Sequence, residues 1–180
     1  MQKIVCLGDS ITYGFPFGPQ YSWVEYLNQV LPGEVINEGI NGNTTSDMLR
    51  RMERDVLRHH PTHVVIMGGI NDVFVGESFD RITWNINKMV EMAQAQNIRT
   101  ILGVPTAVDD PYIEKLLVRL RDWIKDLAQQ KGLDIIDFAS VFSDENGKIK
   151  LELLLDDGGH PDLAGYQAMC QVIDLKVFDL

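Results

Sequence analysis

Cysteine is scarce in this chain, with two residues in 180, Cys6 and Cys170, near opposite ends. A disulfide between them is not expected, and neither stands at a metal-ligand spacing. Cys6 falls in an apolar run and Cys170 on the apolar stripe of the last helix, so both read as core thiols. Positive charge is also short: 16 Lys and Arg face 26 Asp and Glu, a net charge of -10. Nucleic-acid affinity is built from Lys and Arg neutralising phosphates, so this balance argues against a nucleic-acid partner, and no basic cluster compensates. The same deficit disfavours attraction to anionic membranes. Long apolar runs are missing, none approaching the roughly 20 residues that span a bilayer. Met1-Gln2-Lys3 reaches Gly8-Asp9 too soon for the apolar segment of a signal peptide. The expectation is a cytoplasmic protein without stable membrane association. No repeat, low-complexity tract or linker divides it, so residues 1–180 read as one domain.

What the chain does have is enough apolar residue for a core: 45% hydrophobic and 23% charged. Short β-branched runs alternate with helical patterns. Ile4–Leu7, Glu34–Asn37, Val64–Met67, Thr100–Gly103 and Asp134–Ile136 read as buried strands. Ile82, Ile86, Met89, Val90 and Ala93 make one helical stripe; Ile113, Leu116, Leu117, Leu120, Ile124 and Leu127 make another. Ser22 with Glu25 suggests a capping box, and Asp110 before Pro111 an N-cap followed by proline at the first helical position. The last helix is predicted from Pro161, burying Leu163, Tyr166, Cys170, Ile173 and Val177. Strands alternating with helices predict a parallel sheet covered on both faces, an α/β fold of three layers, α/β/α.

In such sheets ligands bind outside the carboxyl ends of the strands. The first strand delivers Gly8-Asp9-Ser10 there, the second Asn37 to Thr45, and the third Gly68-Gly69-Ile70-Asn71-Asp72. The loop before the last helix adds Asp157 and His160, three residues apart. A serine hydroxyl is a poor nucleophile until a base takes its proton and a third group orients that base. Ser10, His160 and Asp157 supply those three parts on one rim. Asp156 competes for the acid role, and the three-residue offset to His160 favours Asp157. A helix starting at Pro161 would disfavour the imidazolium, while the Asp157 carboxylate would favour it.

These blocks also form a resemblance. Gly-Asp-Ser near the start, a glycine after the second strand, Gly-x-Asn-Asp after the third and Asp-x-x-His near the end are similar to the SGNH, or GDSL-type, hydrolases. The match runs from Gly8 to Tyr166 in family order, with Ile11 where the common motif has leucine. The resemblance implies a flavodoxin-like five-stranded sheet and hydrolysis of esters, thioesters or acyl groups on lipids and carbohydrates. It implies Ser10 as nucleophile, Asp157 and His160 as its partners, and Ser10, Gly42 and Asn71 as the oxyanion hole. No metal or cofactor is expected.

Plainer readings compete at each position. Ser10 alone could cap a turn, Gly42 could be an ordinary turn glycine, and Asn71 could be a turn residue. Asp9 and Asp72 read as loop organisers. Tyr13, Phe15, Phe17 and Tyr21 crowd the loop after Ser10, and Phe74 and Val75 follow Asn71. Tyr13, Phe15, Phe74 and Val75 are the candidates for an apolar substrate pocket, although the aromatic rings could equally pack loops onto the sheet. His59, His60 and His63 gather at the opposite rim and read as surface or helix-terminal residues; Trp23, Trp84 and Trp123 read as packing. The expected function is a serine esterase or acylhydrolase cleaving small carboxylic esters or thioesters through an acyl-enzyme. A carbohydrate or lipid deacylase, an acyltransferase and a non-catalytic flavodoxin-like binding module are the alternatives.

Overall fold

Ile4, Val5, Cys6 and Leu7 of strand β1 (Lys3–Gly8) have no exposed surface. A strand apolar on both faces suits the middle of a parallel sheet. In the computed structural model, which describes residues 2–179, β1 pairs in parallel with β2 (Glu34–Gly39) and with β3 (His63–Met67). Strands β4 (Arg99–Val104) and β5 (Asp134–Asp137) extend the sheet to the order β2-β1-β3-β4-β5. All five expected strands are present. Met1 and Leu180, the ends of the expected domain, lie outside the described residues. Gly8 is level with Gly39 and with Met67, so three strands end on one line.

Among the described residues six α-helices lie between these strands, α1 (Ser10–Tyr13), α2 (Trp23–Val30), α3 (Thr45–Asp55), α4 (Ile70–Phe74), α5 (Phe79–Ala95) and α6 (Pro111–Lys131), and α7 (Leu163–Gln171) follows β5. α3, α5 and α6 pack side by side while α2 meets α7, so helices lie on both sides of the sheet. The two predicted stripes are buried as expected, except that Leu116 is only half-buried at the edge. Helix α6 begins where the sequence places it: Asp110 accepts from the backbone N–H of Tyr112 and Ile113, Pro111 follows, and Gly132 closes the helix in the left-handed conformation.

Two predicted helix starts need correction. Ser22 caps α2, but through the Val24 N–H; Glu25 instead accepts from Asn28 and Gln29, so no box closes there. The capping box belongs to α3, where Thr44 and Asp47 satisfy each other's backbone N–H. The last helix starts at Leu163 with Asp162 as its cap, not at Pro161. Pro161 is instead bridged to Leu154 in an antiparallel pair, which its fixed φ allows. Leu163 is therefore exposed, Cys170 and Val177 half-buried, and Met169 fills the core beside Tyr166 and Ile173.

Candidate active site

Ser10 stands two residues beyond β1, on the first turn of α1. Asp9 caps that turn, its carboxylate accepting the Ile11 N–H at 3.0 Å. Gly39, at the end of β2, lies against the turn so closely that a Cβ there would come within 2.1 Å of the Tyr13 nitrogen. Only glycine lets β2 end beside the serine turn.

The loop at residues 155–160 folds back over this turn, held by Leu155 N–H to the His160 carbonyl at 2.8 Å and Asp109 N–H to the Gly158 carbonyl at 2.6 Å. His160 Nε2 lies 2.9 Å from Ser10 Oγ, and Nδ1 lies 2.6 Å from Asp157 Oδ2. The other Asp157 oxygen accepts the backbone N–H of Gly159 at 3.0 Å and of His160 at 2.9 Å. Burial opposes ionisation of Asp157. Those two N–H groups and the His160 ring outweigh it and hold the carboxyl below its usual range. An ionised carboxylate only accepts, so Nδ1 carries the ring proton and, in the neutral ring, Nε2 accepts from the serine hydroxyl. Because α7 starts beyond Pro161, the expected helix N-terminus next to His160 is not there. The orienting charge comes from Asp157.

The cleft around these groups, about 160 Å3, is lined by Asp9, Ser10, Ile11, Ile70, Asn71, Phe74, Asp157, Gly159 and His160. Asn71 and Phe74 reach it from α4. Asn71 Nδ2 donates to the Asn43 carbonyl at 2.9 Å, and its second amide hydrogen has no partner among the described residues. Phe15 packs on the His160 ring, centroids 4.6 Å apart, and its carbonyl accepts the Tyr166 hydroxyl at 2.8 Å. Gly42 sits on the exposed loop after β2 with φ of 77°, next to Asn43 but not on the cleft wall. Glycine there answers the positive φ, and a Cβ at that position would meet no protein atom within 4 Å. Ser10 and Gly42 N–H have no hydrogen-bond partner among the described residues. Tyr13 and Val75 are not on the cleft wall; Val75 is 71% exposed.

Asp9 is 2% exposed, and burial raises its carboxyl to about 6 despite the Ile11 N–H and the attraction of His160. Asp72 organises its loop as expected, accepting the Thr45 N–H at 2.8 Å and hydroxyl at 2.5 Å. It thereby fixes the start of α3 against α4. An apolar slot of similar volume lies between α4, α5 and α6, lined by Val73, Phe79, Ile82, Leu116 and Leu120 among others, without a nucleophile beside a base. On the opposite rim His63 is buried, not a surface residue, because its ring bridges Thr62 at 2.9 Å and Asp179 at 3.2 Å. Trp23 is fully buried and Trp84 54% exposed. Among the described residues no group of His, Cys, Asp and Glu could hold a metal ion, and no helix is long and apolar enough to cross a membrane.

The model of the GDSL-like lipase/acylhydrolase family matches residues 6–168. The chain belongs to that family. It is a hydrolase acting on ester bonds, and its sheet has the strand order of the flavodoxin-like fold. It is similar to an arylesterase of Vibrio mimicus, 28% identical, with 89% of this chain and 80% of the relative covered. An acetylxylan esterase of Geobacillus stearothermophilus is 26% identical, with 94% of this chain and 91% of the relative covered. A solved structure of a G-D-S-L family protein from Desulfitobacterium hafniense superposes with a TM-score of 0.88 at 29% identity, covering 100% of both chains. Ile11 in place of the motif's leucine lines the cleft.

Proposed function

We propose that this GDSL-family enzyme is a serine esterase that cleaves small carboxylic esters through an acyl-enzyme on Ser10. The observation that carries the reading is the continuous relay from Ser10 Oγ to His160 Nε2 at 2.9 Å and from Nδ1 to Asp157 at 2.6 Å, opening into the cleft. His160 takes the Ser10 proton as the oxygen attacks the ester carbonyl carbon, forming a tetrahedral oxyanion. The Ser10 and Gly42 N–H groups and the free Asn71 amide hydrogen receive that charge. Collapse breaks the bond between the acyl carbon and the alcohol oxygen, and His160 returns the proton to the departing alcohol. Water then repeats the sequence on the acyl-serine, releasing acid and restoring the hydroxyl.

Ile11, Ile70 and Phe74 offer the acyl or aryl part an apolar wall, and Phe15 steadies the base from behind. The expected pocket therefore shrinks from four residues to Phe74 with Phe15 behind the ring. The cleft's volume of about 160 Å3 favours a short acyl group. A sugar acetate fits that size as well as an aryl acetate, as the named activities of the two relatives allow. The free thiols of Cys6 and Cys170 suit a reducing compartment, and we place the enzyme in the cytoplasm.

The test is turnover of short and medium p-nitrophenyl esters and of acetylated sugars by wild type and Ser10→Ala, with mass spectrometry after a fluorophosphonate probe. Loss of turnover in Ser10→Ala and an adduct on Ser10 alone are expected. Equal rates in both proteins defeat the reading.

A further inference from the structure

Beneath the loop that carries Gly42, one guanidinium is almost wholly withdrawn from water. Arg51, on α3, is 6% exposed. Its Nη2 donates to the Gly8 carbonyl at 2.8 Å and to the Glu38 carbonyl at 2.8 Å, and its Nε donates to Asn43 Oδ1 at 2.8 Å. Nη1 faces Asp55 at 3.3 Å and Glu38 Oε2 at 3.7 Å. A buried cation needs such partners, yet an apolar side chain of like volume commonly serves stability as well. What a methionine could not supply is the directional fork, which binds three separate pieces of backbone and loop at once.

Those pieces converge on the reacting centre. Gly8 ends the strand that leads into Asp9 and Ser10. Glu38 is the last residue but one of β2, just before the Gly42 loop. Asn43 is bonded twice: its side chain to Arg51, and its carbonyl to the Asn71 amide at 2.9 Å. The loop needs tethers, because Gly42 meets nothing within 4 Å of its Cβ position. Displacement of a catalytic donor by about 1 Å can cost on the order of 100-fold in rate.

We infer that Arg51 is a positioning residue for the reaction proposed above, locking the Gly42 loop and, through Asn43, the Asn71 amide onto the end of the strand that presents Ser10. The inference rests on the serine-esterase reading. Its effect falls on transition-state stabilisation, so it belongs in kcat and not in KM.

The experiment measures kcat and KM for p-nitrophenyl acetate with Arg51→Gln, Arg51→Lys and Asn43→Ala, each corrected for the folded fraction by urea unfolding, with Ser10→Ala alongside. Arg51→Gln is expected to lower kcat roughly 10- to 100-fold with KM within about threefold. Arg51→Lys recovers little, because one ammonium cannot span three acceptors fixed for a fork. Asn43→Ala cuts only the loop tether and lowers kcat in the same direction, which keeps the test decisive if Arg51→Gln does not fold. Unchanged kcat in folded Arg51→Gln and Asn43→Ala, or a loss confined to KM, overturns the positioning role while an inactive Ser10→Ala leaves the esterase reading standing. Full activity in Ser10→Ala overturns both.

Discussion

Replacing Asp9 by asparagine should make this protein more stable, and by an amount that depends on pH. Asp9 is 2% exposed, and burial lifts its carboxyl from an ordinary 3.8 to about 6. Above pH 6 the folded protein must keep this carboxylate ionised in a place that disfavours the charge. Each pH unit between the two values is worth about 1.4 kcal/mol, so the cost at pH 8 is about 3 kcal/mol. Between pH 6 and 3.8 the folded state holds a proton that the unfolded state has released, so falling pH favours folding through this group. Below 3.8 both states are protonated and the cost vanishes. Asparagine carries no charge and caps a turn as well as aspartate, so the Ile11 N–H keeps its acceptor. Urea unfolding of wild type and Asp9→Asn should show a gain of about 3 kcal/mol at pH 8, shrinking to about 1.5 kcal/mol at pH 5. Taking the difference between the two proteins cancels the other carboxylates, such as Asp157, whose folded-state values are lowered and whose contributions run the opposite way. A gain equal at both pH values, or a variant less stable at pH 8, would refute the reasoning.

The site yields sharper expectations for activity. Asp157→Asn should lower kcat by roughly 10⁴, since an amide at that position no longer enforces the ring tautomer, while Asp156→Asn stays close to wild type. Steady-state kinetics on p-nitrophenyl acetate decides it, and the reverse ranking would reassign the acid. Asn71→Ala should cost about 10²–10³ in kcat with little change in KM, because its free amide hydrogen meets charge that exists only in the transition state. An effect confined to KM would remove the oxyanion role.

The strands and their order along the chain were legible because β-branched apolar runs leave few other choices, as Ile4–Leu7 illustrates. The blocks carrying Ser10, Asn71, Asp157 and His160 were legible for a related reason: in a parallel sheet every strand's carboxyl end faces the same rim. Local chemistry at helix ends misled where two candidates compete. Pro161 has the look of a first helical residue, yet the bridge to Leu154 takes it, and the helix waits for the Asp162 cap. Ser22 and Glu25 have box spacing, but Ser22 Oγ accepts the Val24 N–H, and the Glu25 carboxylate turns to Asn28 and Gln29. Arg51 gave no signal at all, since an arginine within a polar helix ordinarily marks a solvated face. Only the tertiary arrangement shows that its helix turns that side toward the ends of β1 and β2. Val75 neighbours Asn71 in sequence, but as the residue that closes α4 it is exposed and off the cleft wall.

Among the described residues the strands are complete by Asp137, whereas the proposed base, His160, meets Ser10 from 150 positions downstream. A molecule can therefore possess its entire β-scaffold and still be inert. Recovery of turnover during renaturation is accordingly a stricter criterion of nativeness than recovery of ellipticity, for it registers the seating of the terminal segment, which the spectrum of the scaffold scarcely senses.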